Sequence, residues 1–152
     1  MELVKSPNKW SCLPTSFAMA CDRDLDSLLL ELGHNGSEII WPTLPEPLCR
    51  RGFHIQELIY VVYHLGHCVM PFEARPCSTN QGHGSLYEIP FNQDPQQRLM
   101  AIMQGVYGVI TGTTLNGQPH AVAWDGVKIF DPAGIKYGLD NFILDTFWLV
   151  RY

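Results

Sequence analysis

The sequence has five cysteines, Cys12, Cys21, Cys49, Cys68 and Cys77, but no C-x-x-C pair among them. An odd count without that spacing argues against a disulfide framework. Basic residues are scarce: 10 Lys and Arg against 15 Asp and Glu leave a net charge of -5, and they nowhere cluster. Nucleic-acid binding through phosphate contacts needs a basic patch, so no nucleic-acid partner is expected. No stretch approaches 18 apolar residues, and "MELVKSPNKWSC" lacks the apolar region of a signal peptide, so no membrane association and cytoplasmic residence are the expectations. Internal repeats, low-complexity segments and interdomain linkers are missing too. What is present is 46% apolar and 16% charged residues over 152 positions, which suits one domain, 1–152, with a sizeable core.

Along the chain, "LPTSFAMACD" reads as a short helix opening at about Cys12, with Pro14 in the first turn where a missing N–H costs little. "DLDSLLLELG" is a second helix, capped by Asp24 and ended by Gly33. "SEIIWPTLPEPLCRRG", with three prolines, is a loop, and "FHIQELIYVVYHLG" a third, strongly apolar helix. "HCVMPFEA" reads as a strand, "RPCSTNQGHGSLYEIPFNQ" as loop, and "DPQQRLMAIMQ" as a helix capped by Asp94. "YGVITGTT", "HAVAWDG", "VKIFDP" and "FWLVRY" then form an antiparallel sheet, its first two strands turned by Asn116-Gly117. Helices first and sheet last predict an α+β fold whose two layers meet through their apolar faces.

One hairpin in that sheet carries unexpected polar residues. In "HAVAWDGVKIFDP", residues 120 to 132, Asp125-Gly126 is a strong two-residue turn signal. With those two as the loop, Trp124 faces Val127, Val122 faces Ile129 and His120 faces Asp131. Directly opposed side chains share one face, with Cβ atoms about 5 Å apart. An imidazole and a carboxylate on an otherwise apolar face each need the other. The pair serves either as a structural hydrogen bond or as a base and its orienter. A nucleophile decides between them, and Cys12 is placed for the part: a helix N-terminus beside an imidazolium lowers a thiol pKa. Cys21, nine residues on, is rotated by about 180° and belongs to the core.

The two blocks "CLPTSFAMA" and "HAVAWDGVKIFDP" together resemble the papain-like cysteine peptidases related to the double-glycine leader (bacteriocin-processing) peptidases, whose pattern is Cys-Gly-Pro-Thr-Ser followed later by His and Asp-Pro. The resemblance implies a papain-like fold, with N-terminal helices carrying the Cys on a C-terminal sheet carrying His and Asp. It implies Cys12 as nucleophile, His120 as base and acid, and Asp131 as the residue orienting His120. Where the family has Gly after the nucleophile this chain has Leu13. Where the family has an oxyanion-binding Gln about six residues before the Cys, this chain has Ser6; Asn8 is nearer and has the donor chemistry to substitute. Double-glycine leader cleavage is not carried over, because those peptidases are usually fused to a membrane transporter and no membrane span is present here.

The expected function is therefore a thiol hydrolase cleaving a peptide, isopeptide or amide bond of a peptide or protein substrate, through an acyl-enzyme and without a cofactor. The competing expectation is a silent papain-like module that binds a peptide or partner protein in its groove. Trp10 and Trp124 are candidates for the groove wall or for the core. His64, His67 and Cys68 in "YHLGHC" have metal-ligand character but not the four-ligand spacing of a structural zinc site, so no metal is expected and Cys68 is read as buried. His34, His54 and His83, with no acidic partner in sequence reach, are read as surface, and Arg50 and Arg51 as solvated charges.

Overall fold

The computed structural model describes residues 1–74 and 94–152; the expected loop over 75–93, with Cys77 and His83, lies outside the described residues. Where the sequence carries a capping signal, as at Asp24, Gly33 and Asp94, the described helices begin or end on it. In α1 (Cys12–Ala20) nearly every residue after the first turn is buried, so its polar groups need internal partners. Thr15 and Ser16 supply them by donating their hydroxyls back to the Ser11 and Cys12 carbonyls at 2.6 and 2.8 Å. The Asp24 carboxylate caps α2 (Leu25–Leu32) by accepting from Ser27 N, and Gly33, at φ 77°, ends it in the left-handed conformation. His54, read as a surface residue, is exposed and also caps α3 (Ile55–His64): its Nδ1 accepts from Gln56 N while the Glu57 carboxylate accepts from His54 N. Asp94 caps α4 (Pro95–Met103), with proline at the first helical position.

The chain is α+β. Six described strands form one antiparallel sheet in the order β1 (Cys68–Glu73), β6 (Phe142–Arg151), β2 (Gly108–Thr114), β3 (Pro119–Trp124), β4 (Ile129–Asp131), β5 (Ile135–Tyr137). Two expected layers prove to be three. Phe17, Ala18, Leu28, Leu58 and Val62 of α1 to α3 pack with Val109 and Val150 on one face of the sheet. Leu99 and Met103 of α4 pack with Ile110, Val122, Trp124, Ile129 and Phe147 on the other. Alternation along β2 and β3 sends successive side chains to the two cores.

Two strand features escaped the sequence. β5 is three residues long with Lys136 at its centre, too short to show alternation. β6 begins at Phe142 rather than Phe147, because Asp145 breaks the pattern where the sheet itself is irregular. Thr111 pairs with Thr146 and Gly112 with Leu144, leaving Asp145 as the extra residue of a bulge. Gly112, which also pairs with His120 across β3, is required at this bulge. A Cβ there would collide with the Ile143 carbonyl and come within 2.8 Å of the Phe142 ring. Gly112→Ala should therefore lower stability by at least about 1–3 kcal/mol, read as a drop in the urea midpoint. An unchanged midpoint would contradict the close approach.

The hairpin register is also corrected. The first pair is Trp124↔Ile129 and the next Ala123↔Phe130, so the turn spans residues 125–128 instead of two. The Asp125 carboxylate drives this by accepting from both Val127 N (2.9 Å) and Lys128 N (2.7 Å), replacing the backbone pairing of a tighter turn. The shift is two residues, equal to the side-chain period, so Asp131 stays on the face of His120. The two are diagonal neighbours, not opposed ones.

Candidate functional site

The N-terminal segment sets where Cys12 lies. Met1, Leu3 and Val4 pack on Met19, Ala123 and Phe130, and Ser6 N donates to the Pro132 carbonyl at 2.8 Å, tying the chain to the end of β4. A turn follows in which the Asn8 side-chain oxygen accepts from Trp10 N at 3.0 Å and the Ser6 hydroxyl donates to the Asn8 carbonyl. Trp10 is held in turn: its indole N–H donates to the Asn35 carbonyl, and the Arg50 guanidinium lies 4.2 Å over its ring. With both neighbours fixed, the chain enters α1 at Cys12.

The sheet leaves room on that side. Pairing of β3 with β4 begins only at Ala123, so His120 and Ala121 lack a strand partner there. The Cys12 thiol interacts instead with the His120 side chain and with the backbone N–H groups of Ala121 and Leu13. Burial alone would push this thiol up. The His120 ring and the two N–H groups outweigh it and hold Cys12 below the ordinary thiol value. Cys21 shows the opposite case: burial pushes it up to about 12, with Arg23 offsetting little.

His120 Nε2 donates to Asp131 Oδ1 at 2.9 Å, which leaves Nδ1 as the nitrogen free for another partner. Burial disfavours the imidazolium, but Asp131 and Cys12 together push His120 up to about 9. Asp131 is 5% exposed, and burial raises its pKa. Three donors more than compensate: His120, the Tyr137 hydroxyl on Oδ2 at 2.5 Å, and Ala133 N on Oδ1 at 2.7 Å, which together hold the carboxyl below its usual range. A half-buried thiol, a half-buried imidazole and a buried carboxylate thus form a continuous chain of interactions in which each group's charged form is favoured by its neighbour.

No family model and no curated protein matches this chain. The chemistry of the site is therefore read from its own residues.

Of the other expected site residues, Asn8 is half-buried, and with its oxygen committed to Trp10 its amide nitrogen is the donor left for a ligand. Trp10 is half-buried two residues before Cys12, while Trp124 is 2% exposed and donates its indole N–H to the Met103 carbonyl at 2.8 Å. Trp124 belongs to the core under α4 and forms no groove wall.

His34, read as surface without an acidic partner, has one. Its Nε2 lies 3.1 Å from Glu57, its Nδ1 accepts from Gly36 N, and its ring stacks on Phe53. Arg51 also reaches Glu57, and Arg50 pairs with Glu46 at 2.8 Å, so neither is a free solvated charge. These contacts brace the proline-rich loop and, through Arg50, Trp10. Cys68 is exposed rather than buried, because it opens the edge strand β1. His67 is buried against Tyr152, and among the described residues no three His, Cys, Asp or Glu side chains gather as metal ligands. None of the described helices is long and apolar enough to cross a membrane.

Tyr137 and Ala133 N are the site members that the sequence reading missed. The Asp-Pro-x-Gly turn at residues 131–134 was the available signal: a turn of that kind returns the chain beside Asp131.

Proposed function

We propose that this protein is a papain-like thiol hydrolase acting on a peptide, isopeptide or amide bond, with Cys12 as nucleophile, His120 as acid and base, and Asp131 orienting His120. The observation that carries the reading is the contrast between two thiols shielded from water, half-buried Cys12 and buried Cys21: Cys12 is lowered by its contact with His120, and Cys21, without such a contact, is raised. A purely structural thiol has no need of an imidazole held by a buried carboxylate.

In the proposed reaction the Cys12 thiolate attacks the carbonyl carbon, and the oxygen takes up the negative charge. The donors offered to it are the Cys12 N–H at the first position of α1, which lacks an intrahelical partner, and the Asn8 amide. As the C–N bond breaks, imidazolium Nδ1 gives its proton to the departing amine, leaving a thioester and neutral His120. Water then loses a proton to His120 and attacks the thioester; the acid product leaves and the thiolate–imidazolium pair returns. Asp131 keeps its negative charge throughout.

A binding module without turnover is favoured by one observation, Ser6 in place of the oxyanion-binding Gln of the resembled family, with its hydroxyl spent on the Asn8 carbonyl. Incubation with a diverse peptide library separates the readings. Hydrolysed products, together with a thioester adduct on Cys12 trapped by acid quench and located by mass spectrometry, are expected. Tight binding of peptides with neither product nor adduct would establish the silent module instead.

A further inference from the structure

We propose that Tyr137 is a positioning residue of this site, whose hydroxyl locks the Asp131 carboxylate so that Oδ1 is presented to His120; the inference rests on the function proposed above and deepens it. Three donors reach the carboxylate, but they divide unequally. Oδ1 accepts from both His120 Nε2 and Ala133 N, whereas Oδ2 has the Tyr137 hydroxyl. The last torsion of an aspartate side chain is soft, so a carboxylate held through one oxygen alone can swing. A donor on the second oxygen removes that freedom.

The fold delivers the hydroxyl to the right place. After Asp131 the chain reverses through a turn in which Gly134 N donates to the Asp131 carbonyl at 2.8 Å, and Gly134 has φ 93°. β5 then returns antiparallel, with Asp131 opposite Ile135 and Ile129 opposite Tyr137. Tyr137 is therefore diagonal to Asp131 on the same face, and its ring packs against the core beneath α4. Ring packing fixes the approach, and the hydroxyl is the only polar atom it brings. Burial and the Asp131 charge push the Tyr137 hydroxyl well above the ordinary phenol value, so it remains a donor wherever the site is expected to work. The donation is also one of the contacts that hold Asp131 in its charged form. Through Asp131 it supports the imidazolium, and through His120 the thiolate.

The test is the pH dependence of Cys12 alkylation by iodoacetamide in the full chain, resolved from the other cysteines by mass spectrometry. His120→Ala should raise the midpoint toward that of a free thiol. Tyr137→Phe, which keeps the ring and loses the donor, should raise it by less, slowing alkylation at pH 6 by roughly threefold to tenfold. In an Asp131→Asn background Tyr137→Phe should add no further shift, a coupling that loss of packing alone would not produce. A second measurement leaves Tyr137 in place. In the parent protein its hydroxyl proton should give a slowly exchanging, low-field NMR resonance that moves as His120 titrates near pH 9. If His120→Ala shifts the midpoint and Tyr137→Phe does not, or if the hydroxyl resonance ignores the His120 titration, the role of Tyr137 is overturned while the proposed function stands. If His120→Ala itself leaves the midpoint unmoved, the proposed function falls and the role of Tyr137 with it.

Discussion

Cys12→Ala should reduce hydrolysis of any substrate found for this protein to background, a loss on the order of a thousandfold or more, because no other group in the site can form the acyl-enzyme. The fold should survive. Cys12 is half-buried at the start of α1, where alanine is tolerated, and the helix is held by its buried later turns. Cys21→Ala gives the reverse pattern. Cys21 is 2% exposed among Leu25, Leu58 and their neighbours, so its truncation should cost about 1 kcal/mol of stability while the folded variant turns over normally. Paired urea denaturation and hydrolysis rates read both effects. Loss of turnover in the Cys21 variant with retention in the Cys12 variant would falsify the nucleophile assignment.

The second large effect belongs to His120. Its replacement by Ala removes the group that carries the proton in both half-reactions, and should cost a hundredfold or more in rate. Asp131→Asn should cost less, since His120 keeps its ring but loses the charge that orients and supports it. Stability adds an independent signature. The folded-state value of His120, about 9, lies above its ordinary 6.5, so charged His120 stabilises the fold. That contribution is fully present below about 6.5 and is lost as pH rises through about 9. The stability gap between the parent and His120→Ala should therefore narrow across this window. A gap constant from pH 6 to pH 10 would contradict the raised value.

The hairpin shows how much of the site was legible in the sequence. That His120 and Asp131 meet could be read from alternation, because parity fixes the face and survives any shift by an even number of residues. Their register could not, because it depends on whether the Asp125 side chain or the backbone closes the turn. Helix ends were legible wherever a local signal carries them, as at Asp24, Gly33 and Asp94. His54 escaped because a capping histidine looks like any polar residue before a helix. The His34–Glu57 contact spans 23 residues and the Arg50–Trp10 contact joins a loop to the α1 entrance, so neither leaves a local trace. Tyr137 was hidden for a related reason: three residues of strand are too few to show a period, and its partner is recognised only once the turn after Asp131 is known. Trp124 could be read either as wall or as core until α4 was seen to cover its face.

The most direct test of the account asks whether Cys12 and His120 act as one unit, and it needs no substrate. The rate of Cys12 alkylation by iodoacetamide is followed from pH 4 to pH 10 in the parent, in His120→Ala and in a His64→Ala control, with Cys21 as the internal reference. The account predicts a parent midpoint well below the ordinary thiol value of about 8.5, an upward shift toward that value in His120→Ala, no shift in the control, and little reaction at Cys21. A parent midpoint near 8.5 that ignores the loss of His120 would contradict it.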